Sequence, residues 1–559
     1  MASANVPSWA ADAVWYQIFP ERFCNGCSES NPTAQDAGVP LDRFPNWAVR
    51  QWNRPWYAPD EWGAPGTPPP AFFDTVFHRR TGGDLLGVRQ KLPYLRSLGV
   101  NALYLNPVFQ APSLHKYDAA CLHHVDPTLG PDRAGDLALL AAAGESEDPS
   151  TWVWTAADRL LLDFLDEAHA LGFRVILDGV FNHCGRRFFA FRDLLAKGRA
   201  SPYADWFDVV RWHGDGSFDY NAWDGPNASL PNFRRDAETL APGPLRYLLD
   251  VTTRWMRPAP DGRPRRGIDG WRLDVAYCLP HPFWRAWHAH VRALCPEAYT
   301  TGEIVGPAQD YARPGEFSAV MNYEWLYPTL AFFTPHADAI SAEEFARRIE
   351  RLRARHDADT LLAMQNLLDS HDTGRILTLL ENAAPPFESW DPYFHFARLS
   401  SNPGLSTRAP SADSLRRLRL AAFWQFTGPG APMVYYGTEF GMSGANDPCC
   451  RQPMAWTEDG SDAGDLWRYY RALCALRAEH PALRRGSFDF LPAPSPRAIR
   501  YARHFDGETL VAAVNVSGEA VLLPEPVRPV FWSDGPHGTG DVGVLPPMSA
   551  CLWKRQERG

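Results

Sequence analysis

The chain has 559 residues, which predicts two or three domains, or one large barrel with attachments, and excludes a small stapled scaffold. Hydrophobic residues make up 45% and charged residues 21% of the chain, a globular composition that excludes disorder as the main state. The formal net charge is −10 and no dense basic run occurs, so neither nucleic acid nor an anionic membrane surface is expected as a partner.

The remaining global signals indicate a soluble protein. Residues Met1 to Ala13 lack a basic stretch followed by an apolar core and a cleavage site, so no secretory signal is predicted. No apolar segment approaches the roughly 20 residues of a membrane span. Ten cysteines in so long a chain do not form a disulfide framework, and we expect a cytoplasmic protein whose cysteines are mostly reduced core residues.

Short continuous apolar runs alternate with helical stretches along most of the chain, a pattern typical of parallel strands buried on both faces. The predicted strands are Ala13–Phe19, Asn101–Leu105, Phe173–Asp178, Gly267–Asp274, Tyr299–Glu303, Ala319–Met321, Leu361–Leu368 and Pro432–Tyr436. Eight such strands predict an α/β fold of the (β/α)8 TIM barrel type. An open doubly wound sheet is the alternative, but no GxGxxG motif follows an early strand.

Helix boundary signals separate these strands. Asp158 is predicted to cap one helix, and Gly172 lies just beyond its end. Ser341-Ala-Glu-Glu344 has the pattern of a capping box at the start of another helix.

Three regions depart from the alternation. The stretch from Asn182 to about Pro244 is far longer than a βα loop of about 2–6 residues and predicts a protruding subdomain. The stretch from Leu379 to Ser411 is predicted to be a surface loop over a functional face. Beyond Pro481 the pattern becomes that of alternating strands, with a hairpin turn at Asp506-Gly507.

The predicted domain limits follow from these departures. Residues 1–183 and 245–480 form the barrel, residues 184–244 form a subdomain inserted after the third strand, and residues 481–559 form a C-terminal antiparallel β-sandwich domain.

Functional residues of a (β/α)8 barrel come from the C-terminal ends of its strands. Acids and bases cluster at four such ends, in Asp178–His183, Trp271–Ala276, Thr301–Ile304 and Asp369–Asp372. A single acid at a strand end is most often a solvated loop residue or a helix cap. Four coincident clusters favour a catalytic site.

Two of these acids suggest a division of roles. Arg272 and Asp274 lie two apart on one strand and share a face, so the arginine should keep Asp274 ionised and suited to nucleophilic attack. Glu303, on the next strand, has apolar neighbours and a nearby negative charge, which should raise its pKa and let it hold a proton. Adjacent strands lie about 4.8 Å apart, closer to the carboxyl spacing of about 5–5.5 Å in retaining glycosidases than to the about 6.5–9.5 Å of inverting ones.

The four clusters resemble, in order, the four signature regions of the α-amylase family of glycoside hydrolases. The motifs are Asp178-Gly-Val-Phe-Asn-His183, Gly270-Trp-Arg-Leu-Asp-Val-Ala276, Gly302-Glu-Ile304 and Ser370-His-Asp372. The resemblance extends to Trp15–Arg22, His115–Asp118 and Gly430–Glu439 and covers about residues 12 to 460.

The resemblance implies a role for each matching residue. Asp274 attacks the anomeric carbon, Glu303 protonates the leaving oxygen and later activates water, and Asp372 supports the distorted sugar. Arg272 orients Asp274, while Tyr117 stacks on the glucose in subsite −1 and His183 and His371 bind its hydroxyls. The substrate-binding residues implied in this way are His115, Tyr117, Asp178, His183, Arg272, His371, Asp447 and Arg451.

Within the family, three segments resemble the cyclomaltodextrinase, neopullulanase and maltogenic amylase group. They are Ser201–Phe207, Leu230–Arg234 and Asp447–Met454. Asp447 and Arg451 would then reach the sugar in subsite −2, although an ordinary ion pair at a spacing of four residues remains an equal alternative.

The chain also departs from that group. Tyr277-Cys278 replaces its usual Asn-Glu, Val305 replaces its usual Trp, and an insertion lies around Gly130–Ala157. Hydrolases of cyclic maltosyl-maltose therefore belong among the candidates. The group carries an extra N-terminal β domain that shapes its dimer and this chain starts at the barrel, so a homodimer is left open.

Asn25, Asn31 and Asp84 resemble a calcium loop of this group and offer the oxygen ligands that Ca²⁺ prefers. Cys27 stands where the family often has Asp. Calcium is therefore an open expectation, and no organic cofactor is expected.

The sequence thus predicts a retaining α-glucan hydrolase that cleaves α-1,4 links of short or cyclic maltooligosaccharides. One rival is a transglycosylase with the same covalent intermediate. The other, a non-catalytic glucan-binding barrel, predicts the loss of at least one of Asp274, Glu303 and Asp372, and all three are present.

Overall fold

The computed structural model describes residues 5–456, 464–534 and 541–555. In chain order the strands are β1 Trp15–Ile18, β2 Ala102–Leu105, β3 Arg174–Gly179, β4 Val209–Trp212, β5 Phe218–Tyr220, β6 Gly270–Leu273, β7 Tyr299–Gly302, β8 Ala319–Val320, β9 Gln365–Leu367, β10 Ala431–Tyr435, β11 Ser487–Ser495, β12 Ala498–Phe505, β13 Glu508–Asn515, β14 Val521–Val527, β15 Pro529–Trp532, β16 Val542–Leu545 and β17 Ser549–Lys554.

The α-helices are numbered in the same way. They are α1 Pro20–Phe23, α2 Phe72–Thr75, α3 Leu85–Gln90, α4 Leu92–Leu98, α5 Arg133–Ala143, α6 Ala156–Ala170, α7 Phe189–Lys197, α8 Pro242–Met256, α9 His281–Leu294, α10 Tyr323–Phe333, α11 Ala342–Arg353, α12 Ala358–Ala363, α13 Ile376–Glu381, α14 Trp390–Ala397, α15 Ala412–Thr427, α16 Asp465–Glu479 and α17 Pro481–Arg485.

Eight parallel strands form the barrel, in the spatial order β8-β7-β6-β3-β2-β1-β10-β9. A parallel bridge between Met321 and Gln365 joins the two edge strands and closes the sheet on itself. The predicted (β/α)8 barrel is therefore confirmed. Its strands are buried along almost their whole length, as continuous apolar runs require when side chains fill the barrel on one face and meet the helices on the other.

The structure corrects some predicted boundaries. Helix α6 is capped by Thr155 and not by Asp158; Asp158 is the third helical residue, and the two residues exchange hydrogen bonds of 3.0 and 3.1 Å in a capping box. The predicted cap at Ser341 is confirmed, because its hydroxyl accepts the Glu344 N–H at 3.2 Å, but the Glu344 carboxylate binds Arg347 and Arg348 and does not complete a capping box. Residues 361–363, predicted as strand, complete α12, whose first turn is capped by Asp357.

The two long excursions differ in character. The first contains α7 and the antiparallel pair β4–β5, and a bridge between His183 and Asn232 ties its end to the rim of the barrel. The second, predicted as a loop, contains the last turn of α13 and the helix α14.

The C-terminal region forms two antiparallel sheets, β11-β12-β13-β17-β15 and β14-β16, which confirms the predicted antiparallel β domain. Asp506 and Gly507 have φ values of 46° and 75°, so both central residues of the predicted hairpin turn are left-handed, as a type I′ turn requires. All ten cysteines lie in the described residues and are free. Across those same residues, no helix is both long and apolar enough to cross a membrane.

Gly270 allows β6 and β7, the strands that lead to Asp274 and Glu303, to pair closely. Gly270, at the start of β6, has a φ of 158°, and a Cβ added there would lie 1.8 Å from the Tyr299 carbonyl oxygen on β7. Any larger residue would push β6 away from β7.

We therefore expect Gly270→Ala to lower the free energy of unfolding by about 1–3 kcal/mol or more, because overpacking against backbone cannot relax by a rotamer change. Thermal unfolding followed by circular dichroism measures the effect. Gly214→Ala is the control, because a Cβ there has nothing within 4 Å and no positive φ. Equal melting temperatures for the two variants would contradict the argument.

Candidate active site

A single buried arginine organises the C-terminal rim of the barrel. Arg272 Nη1 lies 2.9 Å from Asp178 Oδ1 and 2.9 Å from Asp274 Oδ1, while Nη2 lies 2.9 Å from Glu303 Oε2 and 3.9 Å from Asp372 Oδ2. The Arg272 side chain is fully inaccessible to solvent. Four carboxylates therefore surround one cation, and three of them are the predicted catalytic acids.

Strand register places the first two of these acids side by side. Leu273 pairs with Gly302, and the Glu303 N–H donates to the Leu273 carbonyl at 2.9 Å, so Asp274 and Glu303 follow adjacent strands at the same level. The next residue, Val275, has a φ of 38°, a rare conformation for a β-branched residue. This turn aims the Val275 N–H at Glu303 Oε2, at 2.9 Å.

The acid pair cannot hold two full charges easily. Burial raises the pKa of Asp274 well above its ordinary value, and the charge of Glu303 adds to this against the opposing effect of Arg272. Burial likewise raises the pKa of Glu303, again against Arg272 and with a further contribution from Asp372. The expectation for Glu303 agrees with these shifts. At Asp274, burial and the charge of Glu303 oppose the effect of Arg272, so the ionisation of Asp274 depends on Glu303 holding the shared proton and stays a prediction. The pair as a unit favours binding one proton.

Asp372 behaves in the opposite way. Burial alone would raise its pKa, but His371, Arg451 and Arg272 together lower it well below the ordinary value. His371 Nε2 lies 3.0 Å from Asp372 Oδ2, and Arg451 Nη2 lies 2.9 Å from Oδ1. Asp372 therefore stays ionised, and its side chain is 26% exposed to the open rim.

Asp178 lies beneath the rim and acts through its neighbours. Its side chain is fully buried and accepts hydrogen bonds from Tyr104 Oη at 2.6 Å, Tyr117 Oη at 2.8 Å and Arg272 Nη1 at 2.9 Å. These donors leave it facing protein groups, so the geometry supports a positioning role for Asp178 in place of direct sugar contact.

Tyr117 and His371 form a stacked pair at the rim, with ring centroids 5.6 Å apart and planes 15° apart. Gln17 Nε2 donates to His371 Nδ1 at 2.8 Å, which places the ring proton on Nε2, facing Tyr117 Oη and Asp372. His115 is half-buried, its Nδ1 accepts the Tyr117 N–H at 3.1 Å, and burial lowers its pKa to about 3.

His183 is buried, and one of its ring nitrogens is available for a hydrogen bond to a ligand. Burial lowers the pKa of His183 to about 4, so the ring is neutral near pH 7. Its Nε2 has no hydrogen-bond partner in the described part of the chain and lies 3.9 Å from Asp274 Oδ2. This nitrogen is free to bind a sugar hydroxyl next to Asp274.

Asp447 and Arg451 lie beside the catalytic rim. They form an ion pair of 2.9 Å, as the spacing of four residues allows, and Arg451 also holds Asp372 and donates to the His371 carbonyl at 2.8 Å. The Asp447 side chain is 35% exposed, so one carboxylate face remains open to a ligand. Contact with subsite −2 stays a prediction.

The predicted calcium residues come together, and protein donors occupy several of their oxygens. Asp84 caps α3, and its oxygens accept the N–H groups of Gly26, Cys27 and Gly87 at 2.6 to 3.1 Å. The Asn25 amide donates to Asn31 Oδ1 at 2.9 Å. Both Asp84 oxygens and Asn31 Oδ1 thus accept hydrogen bonds from the protein, and calcium stays a prediction.

The sequence reasoning missed several residues at the rim. Gln17, near the end of β1, and Asn106, directly after β2, support His371 and Tyr117, and the strand-end rule applied to amides would have found them. Trp223 is 47% exposed and no sequence pattern marks it, whereas Tyr277, which is 44% exposed, stands where the sequence departs from the group's Asn-Glu. Trp223 lies 5.7 Å from His183 between ring centroids, and besides burial the charges of Glu303 and Asp274 raise the pKa of Tyr277.

A parallel eight-stranded barrel that carries paired carboxyl groups on adjacent strand ends defines a glycoside hydrolase of the two-carboxylate type. The family described as "Alpha amylase, catalytic domain" matches residues 17–144 and 157–486. The chain belongs to this family.

Curated relatives and solved structures agree with this assignment. A cyclomaltodextrinase of Geobacillus thermopakistaniensis is 35% identical over 94% of this chain and 72% of its own length. Neopullulanase 2 of Thermoactinomyces vulgaris is 34% identical over 98% of this chain and 79% of its own length. The cyclic α-maltosyl-(1→6)-maltose hydrolase of Arthrobacter globiformis, in complex with cyclic α-maltosyl-(1→6)-maltose, superposes with a TM-score of 0.71 at 28% identity, covering 99% of this chain and 100% of that one.

The raised pKa values predict a bell-shaped pH dependence of kcat/KM. Falling pH protonates Asp274, and because burial raises its pKa, the acid limb should lie above the value of about 3.9 for an ordinary Asp. The basic limb reports loss of the Glu303 proton.

Glu303→Gln, assayed on an aryl glycoside whose leaving group needs no protonation, should lose the basic limb and keep the acid limb. The acid limb is kept because Asp274 ionises while its neighbour is still neutral. A basic limb that persists in this variant would contradict the assignment of the proton to Glu303.

Proposed function

We propose that the protein is a retaining α-glucan hydrolase that cleaves α-1,4 links of short or cyclic maltooligosaccharides. The observation that carries the proposal is the placement of Asp274 and Glu303 on adjacent strands, each 2.9 Å from a different terminal nitrogen of Arg272. Carboxyl groups borne on adjacent strand ends suit direct attack on carbon by one group while the other transfers protons.

The reaction follows from the shared proton. In the first step the Asp274 carboxylate bonds to the anomeric carbon while the Glu303 carboxyl passes its proton to the glycosidic oxygen, and the bond from carbon to that oxygen breaks. In the second step Glu303, now ionised, takes a proton from water, the water oxygen bonds to the anomeric carbon, and Asp274 departs. Two inversions leave the product in the α configuration.

The other rim residues hold the sugar during these steps. Ionised Asp372 and the free Nε2 of His183 can bind hydroxyl groups on either side of the reacting carbon. The Tyr117 ring, supported by His371 beside it, offers a flat apolar surface for the C–H face of the sugar.

The substrate class rests on the relatives. Their names include cyclomaltodextrinase and neopullulanase, and a neighbouring structure holds a cyclic tetrasaccharide of maltose units. A homodimer, a cytoplasmic location and a Ca²⁺ ion stay predictions for this chain.

Transglycosylation is the second candidate, and the exposed pair Trp223 and Tyr277 favours it. The two rings lie beside the acids, where a sugar acceptor could stack and compete with water for the covalent intermediate.

Stereochemistry and trapping test the main proposal. Proton NMR of early product should first show the α-anomer, and the β-anomer first would exclude retention. Glu303→Gln should reduce turnover of a natural glucan by about 10²–10⁴-fold. Asp274→Asn should yield no glycosyl-enzyme adduct, and an adduct on another residue would refute the nucleophile.

Asp269→Asn is the matched control for Asp274→Asn. Asp269 lies at the other end of β6 from Asp274 and binds His169, Arg174 and Arg266. This variant should lose thermal stability while the folded fraction keeps its kcat.

Removal of the exposed rings tests the acceptor side. Trp223→Ala or Tyr277→Ala should lower the ratio of transfer products to hydrolysis products, with the effect growing with acceptor concentration. Chromatography of products from maltotriose or a cyclodextrin, with and without added maltose, measures this ratio. Val210→Ala is the control, since Val210 is 62% exposed on β4 and has no ring. An unchanged ratio of transfer to hydrolysis products in both ring variants would show that the two rings do not bind a sugar acceptor.

A further inference from the structure

Two adjacent histidines and a glutamate meet away from the catalytic acids. His123 and His124 follow β2, and Glu145 follows α5 in the segment between the two ranges that match the family. One ring nitrogen of each histidine and a Glu145 carboxylate oxygen all lie within 4.8 Å of one another. We propose that this cluster binds one divalent transition-metal ion of the zinc class.

The spacing of the three atoms suits such an ion. Glu145 Oε2 lies 2.9 Å from His124 Nε2 and 3.5 Å from His123 Nε2. Tetrahedral zinc with bonds of about 2.0–2.1 Å places its ligand atoms roughly 3.3 Å apart. The two measured distances lie on either side of that value, so small side-chain shifts would bring the atoms into a common coordination sphere.

The far side of each imidazole is already held, as metal-binding histidines require. His124 Nδ1 lies 2.7 Å from Asp158 Oδ2, and His123 Nδ1 lies 2.8 Å from Tyr247 Oη. Each partner can accept a ring N–H, which leaves both Nε2 lone pairs directed at Glu145. The His123 ring is also stacked on Trp152, with centroids 4.4 Å apart and planes 8° apart.

Charge also favours a cation at this point. The cluster holds two carboxylates, Glu145 and Asp158, against one cation, Arg254, whose Nη2 lies 3.1 Å from Asp158 Oδ2. The three ligand side chains are 5%, 1% and 13% exposed, so this excess negative charge is poorly screened by water. A metal ion would neutralise it, and so would a proton on His124; the experiment separates the two.

The ligand chemistry selects the class of ion. Two imidazole nitrogens and one carboxylate suit zinc and its first-row neighbours, whereas Ca²⁺ and Mg²⁺ prefer all-oxygen sites. The bound ion would connect the loop after β2, which also carries His115 and Tyr117, to the segment that follows α5.

Metal titration of the chelator-treated full-length protein tests the site. Calorimetry with Zn²⁺ should show one saturable equivalent per chain and a rise in melting temperature, whereas Ca²⁺ and Mg²⁺ should show neither. Co²⁺ at the same site should give the strong visible absorption of a four-coordinate ion.

Variants assign the binding to the cluster. His123→Gln and Glu145→Gln should each abolish the binding of Zn²⁺ to this cluster. Tyr247→Phe keeps all ligands and the ring packing and should weaken the zinc affinity about 10–100-fold. Two control variants should still bind one Zn²⁺ ion per chain. His213→Gln removes a histidine–carboxylate pair on the surface, and Cys24→Ser combined with Cys27→Ser removes competing thiols. Failure of the wild-type protein to bind one equivalent, or binding that survives both ligand variants, would overturn the proposal in favour of a proton on His124.

Discussion

The burial of Arg272 among four carboxylates is the constraint on which the active site depends. A buried guanidinium without partners would cost several kcal/mol, and so would each unpaired carboxylate. Here they compensate one another, yet the acids outnumber the cation. Burial raises the pKa of Asp274 and Glu303 and the excess negative charge adds to this, while His371 and Arg451 keep Asp372 ionised. One arginine thus fixes both the positions of the acids and their shared proton.

The barrel makes this arrangement possible because its parallel strands all end at one rim. Residues far apart in the chain, such as Gln17, Asp178 and His371, become neighbours there. The close approach of β6 and β7 at Gly270 and the left-handed turn at Val275 set the acid pair within this frame. Backbone geometry, more than side-chain flexibility, therefore determines how the two carboxyl groups meet.

Features of this chain lie around that common core. Trp223 and Tyr277 present exposed rings near the acids, and a histidine–glutamate cluster joins the loop after β2 to the segment following α5. That loop also carries His115 and Tyr117 of the sugar site.

The sequence by itself determined the barrel, its eight strands, the C-terminal β domain and the candidate acids, because strand periodicity and strand-end motifs are local signals. It misplaced the cap of α6, where Thr155 and Asp158 both bind backbone N–H groups, and it extended β9 into the last residues of α12. Only the tertiary structure decided that burial outweighs Arg272 at Asp274, that donors occupy Asp84, and that Trp223 and Tyr277 are exposed beside the acids. Burial, charge balance and donor saturation depend on residues distant in the chain, so no local pattern contains them.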